Sequence, residues 1–256
     1  MKLSPVTVTR LEKAALDNGF DLERAREGDW LPFESTQTSL RIWLTAFGES
    51  VLVVVLSRAD VLDALVGLGV PLSSPLPNGA AGGRRVAEIS TLHLLLRRAF
   101  QLSRTLPDEL LHVFESLTRE LPRSTEAERF VIQRVGQDIF RRGLIEFWDG
   151  CCAITGLGVA ELLRASHIKP WADCDSDAER LDVFNGLLLA PHLDAVFDAG
   201  FISVAEDGTI LVSDALHAEA RVVLGVDRPL RVCGLGQAHE HYLVWHRTKV
   251  FRPKQT

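Results

Sequence analysis

Two stretches, Ala165–Ser166–His167–Ile168–Lys169–Pro170–Trp171 and Asn185–Gly186–Leu187–Leu188–Leu189–Ala190–Pro191–His192–Leu193–Asp194–Ala195–Val196–Phe197–Asp198–Ala199–Gly200, decide the fold of the carboxyl-terminal half. Leu162 to Ile168 reads as a short strand stopped by Pro170, and Leu187 to Leu189 as a second short strand. The polar run 172–180 joins them as a loop. Pro191 suits the first turn of a helix and Gly200 suits the position just beyond its end. The predicted order is strand, loop, strand, helix, preceded by a strand and turn at Cys152–Ala153–Ile154–Thr155–Gly156.

On that helix Asp194 and Asp198 stand four residues apart and share a face. Like charges so placed repel each other unless a cation offsets them, and no lysine or arginine occurs from 181 to 200. A hard divalent ion is the natural partner of two carboxylates, and His192 is a candidate for a further ligand or for a phosphate contact. His167, at a strand end, has the chemistry of a general base, and Asn185 is placed to orient it if the two strands pair. These parts suffice in principle for phosphodiester hydrolysis, which needs a base for water and a Lewis acid for the phosphate.

His167, Asn185 and the acidic residue nine positions beyond it resemble the HNH, or ββα-metal, endonucleases. Arg134 to Arg141, Glu179 to Asp182, Phe197 to Gly200 and Tyr242 to Arg247 extend the likeness from about Arg129 to Phe251, close to half the chain. The resemblance implies a ββα-metal finger, a divalent ion and cleavage of DNA, with His167 in the base position and Asn185 in the asparagine position. Ser166 stands where many relatives carry a metal-binding acid or histidine, and Asp194 stands at the final histidine position. A ligand set of Asp194, Asp198 and His192 then favours Mg2+ or Mn2+. No Cys-x-x-Cys pair is present for a structural zinc, and the four cysteines read as bland thiols.

Upstream, helical spacing runs from Thr91 to Trp148 with breaks at Pro107 and Pro122, and Ser124 is the expected cap of the last helix. Arg134, Gln137 and Arg141 fall on its polar side and, with Lys169, are candidate DNA contacts. His239, His241 and His246 fit a final helix packed behind the finger. The segment 70–85, rich in Pro, Gly and Ser, reads as a loop whose Arg84–Arg85 end offers an arm for a phosphate backbone. Before it come a helix over Val8 to Leu16, a hairpin of Ser39–Phe47 with Val51–Leu56 turning at Gly48–Glu49–Ser50, and a helix over Ala59–Leu68. Trp30, Phe33 and Trp43 read as core rather than as a pocket for a flipped base.

The fold class is therefore α+β: a small α+β recognition or regulatory domain over 1–85, a helical connector over 86–123, and the nuclease domain over 124–256. The chain of 256 residues is 46% hydrophobic and 24% charged, which fits packed domains rather than disorder. No apolar run reaches membrane-spanning length and no signal peptide is apparent, so the expected location is the cytoplasm. The formal net charge of −6 argues against coating nucleic acid by bulk charge. Arginine makes up 23 of the 28 basic residues, which suits phosphate contacts and coding bias equally. The preferred function is a restriction or defence endonuclease acting on double-stranded DNA, as a homodimer or by sequential nicking. A toxin or effector nuclease and a catalytically silent DNA-binding protein stay open beside it.

Overall fold

The computed structural model describes residues 3–48, 50–65, 67–122 and 124–253. Glu49 of the expected hairpin turn and Val66 of the expected helix lie outside them. The chain divides at Leu106 and Pro107 into two compact units.

The first unit runs α1 (Pro5–Asp17), β1 (Leu22–Glu23), β2 (Leu31–Glu34), β3 (Ile42–Phe47), β4 (Val51–Leu56), α2 (Ala59–Ala64), β5 (Val70–Pro71), β6 (Gly82–Val86) and α3 (Ile89–Thr105). Its antiparallel sheet has the order β1-β2-β3-β4-β6-β5. The unbroken apolar run of β4 is explained by burial on both faces. The three helices meet one face, and Trp30, Leu72 and Ala80 pack around Trp43, Val53 and Val55 on the other. Trp43 and Phe33 are core, and Trp30 is partly buried against the same cluster. The helix expected to reach Leu68 ends at Ala64.

The expected loop over 70–85 needs correction. Its end is β6, paired along β4 with Arg84 opposite Val54 and Arg85 opposite Val53. Gly82 and Gly83 serve close approach rather than a turn. A Cβ on Gly82 would stand 2.3 Å from Leu62 Cδ2, and one on Gly83 would stand 2.9 Å from the Val54 carbonyl oxygen. Arg84 donates to the Leu62 carbonyl at 3.2 Å, so it braces α2 instead of reaching out as part of a phosphate arm.

The second unit runs α4 (Pro107–Thr118), α5 (Glu126–Phe147), β7 (Arg164–His167), α6 (Asp177–Leu181), β8 (Gly186–Leu189), α7 (Pro191–Asp198), β9 (Ile202–Val204), β10 (Ile210–Val212), α8 (Ala218–Val223) and α9 (Glu240–Lys249). The segment 86–123, expected as one connector, is thus split. α3 packs within the first unit, while α4 packs on α5, where Leu110 lies against Gly143. α5 is capped by Thr125, one residue after the expected Ser124, in a reciprocal capping box with Glu128. Cys152 to Gly156 forms turns rather than a strand, tied to β8 by the Ala153 amide donating to Leu188.

β7 and β8 form a two-stranded antiparallel pair with His167 opposite Gly186. Gly186 is extended at φ −149°, so its glycine is not needed for backbone freedom. It is needed for space: a Cβ there would stand 2.6 Å from Phe140 Cζ and 2.7 Å from Leu144 Cδ1. That close approach brings Phe140 and Leu144 of α5 against the strand pair.

Candidate active site

Among the described residues β7 pairs with β8 alone, and residues of β7, α5 and α7 line a cleft. Gln137, Asp138 and Arg141 of α5, Arg164 and His167 of β7, and Asp194 and Asp198 of α7 line it. A second hollow, lined by Ser166, Trp171 and His246, shares His167 and Asp198 with the first.

His167 is clamped by its surroundings. Its ring stacks on Phe140 at 3.8 Å between centroids and meets Trp171 edge-on at 5.6 Å. Nε2 lies 2.9 Å from the carbonyl oxygen of Arg180. A carbonyl only accepts, so Nε2 carries the hydrogen and Nδ1 keeps the lone pair. Burial pushes the imidazole down from 6.5 to about 4, against the opposing pull of the Arg180 carbonyl. The ring is therefore neutral at physiological pH with one basic nitrogen, the state a general base requires.

Asn185 acts differently from the expectation that it holds His167. Its side-chain oxygen accepts from the Lys169 amide at 2.8 Å, and its nitrogen donates to the carbonyls of Lys169 and Glu179, each at 3.2 Å. Only its backbone reaches the strand, where its carbonyl accepts from Ile168. The buried asparagine thus pins the segment 169–176 to α6, and the run expected as a loop to residue 180 instead ends in that helix, where Arg180 holds the histidine. Arg180 secures the same loop by donating to the Trp171 carbonyl at 3.1 Å and bonding Asp177 at 3.1 Å.

Asp194 and Asp198 lie on one face of α7, as their spacing dictates. Burial raises the proton affinity of both, and at Asp198 the neighbouring Asp194 adds to the rise. Ser166, buried on β7, donates to Asp198 Oδ1 at 3.1 Å and counters the rise at Asp194 as well. Ser166, which looked like a gap in the ligand pattern, is therefore a partner of the acidic pair. His192 needs correction: it lies about 200° round the helix from Asp194 and is exposed. Among the described residues no three His, Cys, Asp or Glu side chains converge as a metal site, so the set of Asp194, Asp198 and His192 does not assemble. Two close carboxylates of raised proton affinity, beside an open cleft, still fit a hard divalent ion whose other positions water or phosphate would fill.

The expected DNA contacts divide. Lys169 is committed to Asp175 at 3.0 Å and Glu179 at 2.8 Å with its side chain 12% exposed, so in this structure it is part of the brace. Arg141 lines the cleft but donates to the carbonyls of Leu163 at 2.6 Å and Ala160 at 3.0 Å, fixing the entry to β7. Gln137 lines the cleft, and Arg134 is exposed one turn earlier on α5. Sequence reading missed Ser166, Arg180 and Arg164 as contributors. For Arg180 the role rests on a main-chain carbonyl, which leaves no signature in residue type.

α9 closes the site from behind, as its pattern suggested. His246 stacks on Phe197 at 3.9 Å, bonds the Ser203 hydroxyl at 2.9 Å through Nδ1, and meets the Phe197 carbonyl at 3.2 Å through Nε2. Burial pushes it from 6.5 down to about 4. The unfolded chain therefore binds this proton between those values while the folded chain does not, and stability rises with pH across that window and levels off above it. A shift of this size corresponds to about 3 kcal/mol at 1.36 kcal/mol per unit. Asp182, Asp194 and Asp198, raised by burial, act in the opposite sense. Urea unfolding of wild type and His246→Gln at pH 4.5 and 7.5 isolates the histidine, and the wild type is expected to lose more stability on acidification than the variant.

Two paired strands followed by a helix, with a histidine on the first strand and an acidic pair on the helix, define a ββα finger of the nuclease type. Residues 152–205 match the family model for HNH endonucleases. That match lies in the carboxyl-terminal half of the chain and spans the strand pair and the helix that carries the acidic pair. No curated protein matches the chain. Nuclease domains of this family generally use a divalent metal. Among the described residues no helix is long and apolar enough to cross a membrane.

Proposed function

We propose that the protein is a metal-dependent endonuclease that hydrolyses phosphodiester bonds in double-stranded DNA, in restriction or defence. The observation that carries this is the state of His167: stacked on Phe140, its Nε2–H taken by the Arg180 carbonyl, its Nδ1 basic, beside two carboxylates that share Ser166.

His167 takes a proton from water through Nδ1 as the water attacks phosphorus, and Phe140 and Arg180 hold the ring so that no reorientation is needed at that moment. Asn185 keeps the loop in register and so keeps the Arg180 carbonyl in place. Asp194 and Asp198 would hold Mg2+ or Mn2+, which supplies charge neutralisation at the phosphate and leaving oxygen. The first unit is read as the part that selects the DNA. One finger per chain makes a double-strand cut the work of two copies or of two successive nicks. Ser166 and Asp194, the two departures from the family pattern, join one acidic site here, which supports a working finger over a silent one.

Incubation of the purified full chain with supercoiled plasmid and Mg2+ or Mn2+ tests this. Conversion to open-circular and linear forms is expected, with complete loss on adding a chelator and recovery on restoring the ion. Absence of cleavage with every divalent ion, or cleavage indifferent to chelation, would sink the reading.

A further inference from the structure

We propose that Arg164 grips the phosphate of the DNA strand lying in the cleft. The inference rests on the nuclease reading above and names a substrate-binding residue for it.

The cleft offers an acidic pair to a polyanion, so a cation must meet the phosphate on the protein side as well. The basic residues around it are mostly committed. Arg141 holds the carbonyls of Leu163 and Ala160, Lys169 holds Asp175 and Glu179, and Arg180 holds the loop carbonyls and Asp177. α7 brings no lysine or arginine of its own, since none occurs from 181 to 200, and its His192 lies about 200° round the helix from Asp194. Arg164 remains. It is exposed, lines the cleft with His167, Asp194 and Asp198, and among the described residues no hydrogen bond or ion pair engages its side chain. It stands one strand repeat before Ser166 and so projects from the same side of β7, toward the acidic pair. Its positive field reaches Asp194 without a contact ion pair. A guanidinium in that position is free to make two parallel hydrogen bonds to a phosphate.

The test compares wild type with Arg164→Ala and Arg164→Lys, full chain throughout, in plasmid cleavage. Binding of a labelled duplex is measured with Arg164 intact or replaced in a His167→Ala background, across salt concentrations, and Mn2+ binding is titrated without DNA. Arg164→Ala is expected to weaken duplex binding by about tenfold or more, to flatten the logarithmic salt dependence by about 0.9, and to slow cleavage accordingly. Arg164→Lys should recover part of the binding, and Mn2+ affinity should not weaken. If wild type cuts and Arg164→Ala binds and cuts equally well, the inference fails while the nuclease reading stands. A change confined to Mn2+ binding would reduce Arg164 to a charge balance for Asp194 and also overturns it. If wild type neither binds nor cuts DNA, both fall together.

Discussion

His167→Ala is expected to lower plasmid cleavage at pH 7.5 by about 10²- to 10⁴-fold while leaving the fold in place. The replacement removes the only basic nitrogen that the Phe140 stack and the Arg180 carbonyl hold ready. It also removes the partner of that carbonyl, a cost of about 1–3 kcal/mol where the group stays buried, so thermal unfolding is read beside cleavage. Duplex binding separates the effects: a base needed only for the chemical step leaves affinity nearly unchanged. His167→Gln refines the measurement, because its amide restores a donor near Arg180 without a base. If His167→Ala cuts within about threefold of wild type, the assignment of the base is wrong. Because the imidazole is held near 4, wild-type cleavage should not fall off at pH 6 for want of a neutral histidine.

The second large effect belongs to Asn185. Asn185→Ala strips partners from the Lys169 amide and from the Lys169 and Glu179 carbonyls in a place closed to solvent. Each buried group left unpaired costs about 1–3 kcal/mol, so a total loss of about 3–5 kcal/mol in the second unit is expected. Cleavage should fall by about 10²-fold even at a temperature where the variant stays folded, because the loop that presents the Arg180 carbonyl loses its pin. Asn185→Asp separates the contributions. It keeps the acceptor for Lys169 but loses both donations and buries a charge, so it should rescue neither stability nor activity. Thermal unfolding alongside cleavage checks both variants, and an Asn185→Ala protein as stable as wild type would contradict the role.

Much of the finger was legible before any coordinate. Strand, loop, strand and helix follow from the break at Pro170, the apolar run Leu187–Leu189, Pro191 at a helix start and Gly200 beyond its end. These are local signals of backbone preference, and they survive because the finger is built from short consecutive elements. The i, i+4 placement of Asp194 and Asp198 is likewise fixed by helix geometry alone. The misreadings share a cause. Gly82–Gly83 signals a turn in isolation, yet belongs to a strand where a neighbour's side chain takes the space of a Cβ. The helices over 86–123 carry their own periodicity, but which unit each joins depends on distant partners.

By itself the sequence determined the order of the finger, the histidine at its strand end and the acidic pair on its helix, because each depends on residues close in the chain. Only tertiary structure decided which of those groups are available. It turned Lys169 and Arg141 into braces by placing acceptors around them, moved Asn185 from holding His167 to pinning its loop, made Ser166 a partner of Asp198, and left Arg164 open to the cleft. The reason is physical. A polar side chain spends its hydrogen bonds on whatever groups folding brings within 3 Å or so, and residue type alone does not name those partners.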